Sequence, residues 1–260
     1  MDLNAIVTNI QLFLLIFTRV FAMLQIAPLF SSGAVPQIAR IALALFCAVA
    51  CVGNIVDYPI PDTGLEFVFL LVAEALIGFI MGLLLTIIYS AFQLSGQFFS
   101  MQMGFAASQV FDPLAQIEIP ILGQFLNLMA MLVMLTVKGF QKLFLVGVYG
   151  SFNKVRPWDL VNIKENLLHY TFESISSMFY NALLIALPII GTLLIVSISM
   201  GLLAKASPQM NLLMLGFPIN ISVSYVILMF ALPFIITLFA KVIENSFDFL
   251  LDFITKSGGL

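Results

Sequence analysis

Charged side chains are scarce in this sequence of 260 residues. Asp, Glu, Lys and Arg make up 9% of it, whereas hydrophobic residues make up 62% and the mean hydropathy is +1.14; soluble domains have about 25% charged residues. A soluble domain of this size could not bury so much apolar surface, so the composition predicts an integral membrane protein. With a net charge of −3 and so few charges, the chain is not expected to bind nucleic acid.

The residues that carry most enzyme chemistry are equally rare. The sequence has one histidine, His169, and two cysteines, Cys47 and Cys51, and it contains none of the HExxH, GxSxG, GxxxxGK or CxxC patterns. We expect His169 to be a solvated loop residue. The cysteines lie one helical turn apart, too far for a disulfide, so we expect them to be small packing residues. The sequence therefore predicts no enzymatic activity, no cofactor and no metal site.

Long apolar runs dominate the chain and predict an all-α membrane protein with about six long, kinked helices. The runs lie at about residues 5–30, 38–56, 65–100, 117–137, 178–204 and 212–240. The last two are expected to be broken or kinked by proline, at Pro188, Pro208, Pro218 and Pro233. The predicted loop 138–177 is rich in Lys and Arg, which is typical of a cytoplasmic loop. Six spans would place it on the outside, so the orientation in the membrane stays open.

A polar stripe marks the third run. Small or polar residues recur every three or four positions, at Glu74, Gly78, Gly82, Thr86, Ser90, Gln93, Gln97 and Ser100. The 27 residues from Glu74 to Ser100 alone make a helix of about 40 Å. This exceeds the hydrocarbon core of about 30 Å, so the helix should project beyond the bilayer. Gly78 and Gly82 form a G-x-x-x-G pattern that lets another helix approach closely.

A second buried charge is expected in the first run, where Arg19 lies on another polar stripe. A charge inside the bilayer costs about 2.5–3.5 kcal/mol and usually finds a partner in the bundle interior. The predicted intramembrane polar seam consists of Arg19, Glu74, Gly78, Gly82, Gln93 and Gln97. Such a seam is either a proton or ion pathway or a hydrogen-bonded pair that fixes the helix register. The absence of a chain of acids favours the second interpretation.

The segment from Met101 to Gly123 is apolar but interrupted by Gly104, Pro113 and Pro120, so a continuous helix is not expected there. We predict a re-entrant central loop. Its methionines and aromatic residues are suited to line or plug a pore, because Met fills irregular gaps and apolar constrictions exclude water. The residues support equally a packing loop without a gating role.

The carboxyl-terminal third predicts a helical hairpin. Residues 178–204 run to a short basic turn at 204–211, and the chain returns through 212–240. An amphipathic tail follows at 242–254, with apolar residues on one face and acidic residues on the other.

Three stretches of this chain form recognisable motifs. They read "AKASPQMNLLMLGFPINIS" at 204–222, "APLFSSGAVPQIARIALAL" at 27–45 and "QMGFAASQVFDP" at 102–113. Together they resemble the flagellar biosynthetic protein FliR family. The most specific part of the match is the combination of Pro208, Gln209, Asn211, Gly216, Phe217 and Pro218. Together with Lys205, these residues form the hairpin signature, which the resemblance places on the cytoplasmic side. The landmarks are spread over most of the chain, and its length also fits the family.

The resemblance implies a membrane subunit of the type III protein export gate in the bacterial inner membrane, at the flagellar basal body. It implies assembly with FliP- and FliQ-type subunits into a channel for unfolded export substrates, with a FlhB-type subunit at the cytoplasmic mouth. Residues 1–177 are expected to resemble FliP and residues 178–260 to resemble FliQ. The family's central loop projects into the pore, so the implied pore and plug residues are Met101, Met103, Phe105, Val110, Phe111, Asp112 and Pro113.

Two alternative functions remain at this point. A secondary transporter would need a midplane substrate site with broken helices in both halves, and no prolines in the first two runs match those in the last two. The other alternative is the paralogous export-gate subunit of a virulence injectisome, which a flagellar gene neighbourhood would distinguish.

Overall fold

The computed structural model of the chain describes residues 3–28, 30–31, 35–53, 58–61, 64–104, 121–207 and 212–258. Within these ranges the backbone is almost entirely helical and contains no β-strand. The seven longer helices are α1 (Leu3–Ile26), α2 (Gln37–Val52), α3 (Gly64–Met103), α4 (Ile121–Thr136), α5 (Gly139–Lys154), α6 (Leu160–Ala206) and α7 (Leu212–Ser257). The middle of α5, Leu143–Gly150, is π-helical. The described part of each predicted apolar run lies largely on one of these helices, and the prediction of an all-α membrane protein is confirmed.

Within the described ranges, four helices are long and apolar enough to cross a membrane, namely α1, α3, α6 and α7. Helices α4 and α5 meet the same criterion as a pair bent by 73°, which is a broken span or a re-entrant element. The bend lies at Lys138, between the two helices. The φ of this residue is 55°, a left-handed value that interrupts the helix. Helix α2 has 16 residues, fewer than the about 20 that a span needs.

Three helices are far longer than a bilayer requires. Helix α3 has 40 residues, α6 has 47 and α7 has 46, so they extend about 60–70 Å at 1.5 Å per residue. The hydrocarbon core is about 30 Å thick. Each of these helices is therefore longer than a single crossing needs, as the length of the polar stripe predicts for α3.

The prediction of a loop at 138–177 is wrong. Helix α5 and the first turns of α6 occupy most of this segment, and both bury large side chains, such as Phe152 and Tyr170. Tyr170 and Ser174, one turn apart on α6, are both buried, and the Ser174 hydroxyl donates to the Tyr170 carbonyl over 2.7 Å. His169 is exposed as expected but lies on this helix, with Nε2 3.6 Å from a Glu173 carboxylate oxygen.

Helices α6 and α7 continue through three of the prolines at which a break or a kink was expected. Pro188 lies inside α6, and Pro218 and Pro233 lie inside α7, so these prolines do not break the helices. A proline removes one backbone hydrogen bond, a loss that neighbouring groups make tolerable in membrane helices. The predicted tail at 242–254 is the last part of α7. Pro208 lies outside the described residues.

The chain packs as two compact units. The charged unit comprises Met1–Tyr89, Lys138–Ile175 and Glu244–Leu260, and the apolar unit comprises Ser90–Val137 and Ser176–Ile243. The charged residues in the sequence of the apolar unit are Asp112, Glu118, Lys205 and Lys241. The predicted division into a FliP-like portion, residues 1–177, and a FliQ-like portion, residues 178–260, is a separate matter and stays a prediction.

Candidate functional site

Two charges that the sequence places on separate helices meet inside the charged unit. Arg19 of α1 and Glu74 of α3 have side-chain exposures of 1% and 0%, and the Arg19 Nε group donates to Glu74 Oε2. Removing two charges from water is costly unless further hydrogen bonds satisfy both groups. The surroundings of this pair therefore decide its role.

The remaining nitrogens of the Arg19 guanidinium bind the segment around the end of α5. Nη1 donates to the Ser151 hydroxyl over 3.1 Å, and Nη2 donates to the Val155 carbonyl oxygen over 3.0 Å. The Phe152 ring lies against the guanidinium, with its centroid 3.8 Å from Cζ. This stacking adds a cation–π contact in a buried setting. Arg19 thus joins α1 to α3 and to α5 through three hydrogen bonds and one ring.

Tyr58 completes the cluster from the segment between α2 and α3. Its hydroxyl donates to Glu74 Oε1, and its ring is 6.4 Å from that of Phe152 between centroids. Burial, together with the negative charge of Glu74, raises the pKa of Tyr58, so the phenol stays protonated and keeps its role as donor. Both carboxylate oxygens of Glu74 therefore have a donor.

The cluster is closed, since each polar group of the Arg19–Glu74 pair already has a protein partner. It is suited to fix α1, α3 and α5 in one register, as buried polar groups do in other helical assemblies. No group of three or more His, Cys, Asp or Glu side chains that could hold a metal occurs among the described residues.

Glycines on α3 allow the helix contact that brings these charges together. A Cβ atom built on Gly78 would overlap the Arg19 carbonyl oxygen, and one built on Gly82 would lie 2.8 Å from the Met23 carbonyl oxygen. One turn further, the Thr86 hydroxyl donates to the Ile26 carbonyl oxygen over 2.6 Å. Close backbone approach of this kind needs small residues at the interface. The stripe predicted on α3 thus faces α1 over this stretch.

The rest of the predicted seam has different surroundings. Gln93 and Gln97 belong to the apolar unit and are exposed. Met101 is 68% exposed, whereas Met103 is buried. The remaining predicted pore and plug residues, which are Phe105, Val110, Phe111, Asp112 and Pro113, lie outside the described residues.

Two contacts in the apolar unit border the predicted plug segment. Gly104, directly after α3, has a φ of +90°, and a Cβ built on it would lie 2.5 Å from Cδ1 of Phe217. At the other end, Gly123 of α4 touches Gly96 of α3, since a Cβ on Gly96 would overlap the Gly123 Cα. The structure therefore brings Phe217, from the hairpin signature, to the residue where the central segment begins.

The other hairpin residues are more open. Lys205 and Pro218 are exposed, and Gly216 has no atom within 4 Å of an added Cβ. Pro208, Gln209 and Asn211 lie outside the described residues.

Sequence reasoning missed the residues that complete the charge cluster. The missed residues are Tyr58, Ser151, Phe152 and Val155. They lie in segments interpreted as loops, at least 16 positions in the sequence from the charged residue that each contacts. The available signal was indirect: a buried charge requires partners, and Ser and Tyr are the residue types that supply hydroxyl groups.

These observations define a class of protein, a helical membrane protein whose long helices are joined by a buried ion pair. The family model for bacterial export proteins, family 1, matches residues 10–246. The chain is 32% identical to flagellar biosynthetic protein FliR of Bacillus subtilis (strain 168), over 96% of this chain and 95% of the relative. It is 30% identical to FliR of Borreliella burgdorferi, over 98% and 94%, and 26% identical to FliR of Escherichia coli K12, over 92% and 90%. The chain belongs to the FliR family of bacterial export proteins, as the three sequence stretches predict.

Proposed function

We propose that this chain is the FliR-type subunit of a flagellar type III protein export gate in the bacterial inner membrane, at the flagellar basal body. The observation that carries the proposal is the similarity to flagellar FliR proteins over nearly the full length of both chains. The role is that of a channel component for unfolded flagellar proteins, without catalysis. Deletion of the gene should abolish motility and the secretion of flagellar proteins, and a plasmid copy should restore both. A deletion strain that keeps both would contradict the proposal.

The subunit assembles with FliP- and FliQ-type proteins, residues 1–177 in the manner of FliP and residues 178–260 in the manner of FliQ. Exposed apolar side chains support a need for protein partners. Helix α2 is too short to span a bilayer, yet Ile38 and Phe46 are 80% and 73% exposed. Contiguous apolar surface of this kind marks contacts with protein or lipid.

The central segment acts as the plug that keeps the resting channel closed. Its two ends support this role, because both are held on the same helix: Gly104 follows α3 directly, and Gly123 of α4 touches Gly96, eight positions earlier on α3. At 1.5 Å per residue these points on α3 are about 12 Å apart. The two ends of the central segment are thus held close together beside α3.

Replacement of residues 105–113 by a few glycines and serines tests the plug. Cells with the complete gate should then leak ions or small solutes, while the amount of assembled gate stays near normal. An assembled gate that stays as tight as the native one would make the segment a packing element.

The hairpin turn faces the cytoplasm and forms the docking edge for the FlhB-type partner. Lys205 and Ser207 are exposed at this turn, and a basic residue is typical of a cytoplasmic loop. We expect a cysteine at position 207, with Cys47 and Cys51 replaced by alanine, to react with an impermeant thiol reagent from the cytoplasmic side. Labelling from the periplasmic side alone would refute both the topology and the docking edge.

A further inference from the structure

Helix α5 and the residue after it present partners to Arg19, but the helix depends on its neighbours to stay in that place. It is interrupted at both ends, by the left-handed Lys138 before it and by the extended Val155 after it. Its middle, Leu143–Gly150, is π-helical, a conformation that is rare in long runs. Helices in proteins owe most of their stability to packing against the rest of the chain. The position of Ser151 and Val155 therefore depends on what packs against α5.

A strap of residues 244–258, at the end of α7, runs beside α5 in the same direction within the charged unit. Near the start of α5, Lys142 Nζ lies 3.6 Å from a Glu244 carboxylate oxygen. At the end of α5, Lys154 Nζ donates to the Thr255 hydroxyl over 3.1 Å. Because the residue numbers of both partners rise from the first contact to the second, the strap follows α5 along most of its length.

Two glycines bring the strap and α5 into close contact. A Cβ built on Gly147, in the middle of α5, would lie 2.9 Å from Sδ of Met23 and 4.0 Å from Cδ2 of Leu250. Helix α5 is thus held between α1 and the strap at this level. A Cβ built on Gly258 would overlap the carbonyl oxygen of Lys154, so the end of the strap lies directly on the backbone at the end of α5.

The strap is also anchored on α6, through Tyr170. The Tyr170 hydroxyl donates to Asp252 Oδ2 over 2.7 Å, and its ring packs on those of Phe249 and Phe253 at centroid distances of 5.3 and 5.1 Å. Apolar burial makes the larger contribution here, since Phe253 is buried and an exposed ion pair such as that of Lys142 contributes little. The strap is therefore fixed on α6 while it packs on α5.

We propose that the strap positions α5 on the ion-pair cluster, so that the end of α7 determines whether Arg19 keeps its acceptors. If the strap leaves, α5 loses its support on the side of α7, and the Ser151 hydroxyl and the Val155 carbonyl can move away from Arg19. A buried charge without partners is strongly unfavourable. The strap and the cluster therefore stabilise each other, and the first and last helices of the chain are coupled through α5.

A cysteine at position 155 reports whether this segment stays in place. The chain carries Val155→Cys together with Cys47→Ala and Cys51→Ala, in native membranes. The Val155 side chain is 1% exposed, and this residue binds Arg19 through its backbone carbonyl, which the substitution keeps. A thiol reagent should therefore react slowly, because it reaches the cysteine only when the segment opens locally.

The test compares two phenylalanines of α7 on this background. Phe253→Ala removes a ring of the strap, whereas Phe239→Ala removes a fully buried ring of the apolar unit that packs on Phe92 at a centroid distance of 4.5 Å. We expect Phe253→Ala to raise the rate of reaction at position 155 several-fold and Phe239→Ala to leave it close to the native rate. Phe253→Leu keeps most of the apolar bulk and should restore most of the protection.

A milder variant, Gly258→Ala, acts at the other end of the strap. Its added methyl group meets the Lys154 carbonyl oxygen without emptying any buried space, so we expect a smaller increase in the rate of reaction. This variant decides the matter if Phe253→Ala does not accumulate in the membrane. A native rate in every strap variant that accumulates would refute the strap. Equal increases from Phe253→Ala and Phe239→Ala would show general destabilisation and would also overturn it.

Discussion

The charged unit and the apolar unit bring their helices together by the same means but hold them differently. In both, a glycine lets two backbones touch, at Gly78 in the charged unit and at Gly96 in the apolar unit. The charged unit adds the Arg19–Glu74 pair and its hydroxyl partners. The described residues of the apolar unit include no buried charged side chain. Its helices are held instead by apolar contacts, such as the one between the rings of Phe92 and Phe239.

This difference separates two tasks in a helical membrane assembly. Glycine contacts set how closely two helices approach, because packing rather than the hydrophobic effect drives their association in lipid. Hydrogen bonds to a buried charge also set the register, since a shift of one residue would leave the charge without partners. We therefore expect the charged unit to tolerate little rearrangement, whereas the contacts of the apolar unit can separate and reform.

The largest effect is expected when one member of the Arg19–Glu74 pair is removed. Glu74→Gln leaves the Arg19 guanidinium buried without its counter-charge, which should destabilise the charged unit by about 3–5 kcal/mol. The amount of assembled gate should fall sharply, while export per assembled gate stays near normal. Normal assembly with abolished export would instead favour a proton or ion pathway.

Two further variants serve as controls for this result. Replacing both charges, in Arg19→Met with Glu74→Met, should recover part of the assembly lost in either single variant, because no unpaired charge remains. Lys142→Ala removes a solvent-exposed pair with Glu244, whose atoms are 3.6 Å apart. It should leave assembly unchanged, because exposed pairs contribute little.

Added bulk at the two glycines should affect both units alike. Gly78→Ala and Gly96→Ala each place a Cβ on the backbone of the facing helix, and backbone cannot move aside as a side chain can. We expect each to cost about 3 kcal/mol, at the upper end for overpacking, measured as a lower unfolding temperature of the purified gate. Gly191→Ala is the matched control, because nothing lies within 4 Å of its added Cβ. A tolerated Gly96→Ala would show that the apolar unit repacks freely.

The smallest effect is expected when one hydrogen bond of the cluster is removed. Tyr58→Phe deletes the donor to Glu74 Oε1 but leaves the Arg19–Glu74 pair in place. The expected loss is about 1.5 kcal/mol, the lower end for a hydrogen bond to a charged group, again read from the unfolding temperature. The control is Tyr180→Phe, which alters a side chain that is 65% exposed. Equal values for the two variants would mean that Tyr58 contributes nothing to the cluster.

Sequence reasoning succeeded where a single helix carries the signal. The stripe from Glu74 through Gly82 and the excess length of the third helix follow from periodicity alone, because helical geometry fixes which residues share a face. It failed at 138–177, where charged residues suggested a loop. There the apolar positions are buried by α7, as with Tyr170 against Phe253 at a centroid distance of 5.1 Å, a contact that local pattern cannot reveal.

By itself, the sequence determined that the chain is a helical membrane protein of the FliR family, because composition, helical periodicity and family motifs are properties of the chain read in order. Only the tertiary structure decided that Arg19 pairs with Glu74, that Tyr58 and Ser151 complete the cluster, and that Phe217 lies on Gly104. The hydrogen-bonded partners of the cluster lie between 16 and 136 positions apart in the sequence. Several Ser, Tyr and Phe residues could satisfy the same chemical need, and only packing in three dimensions selects among them.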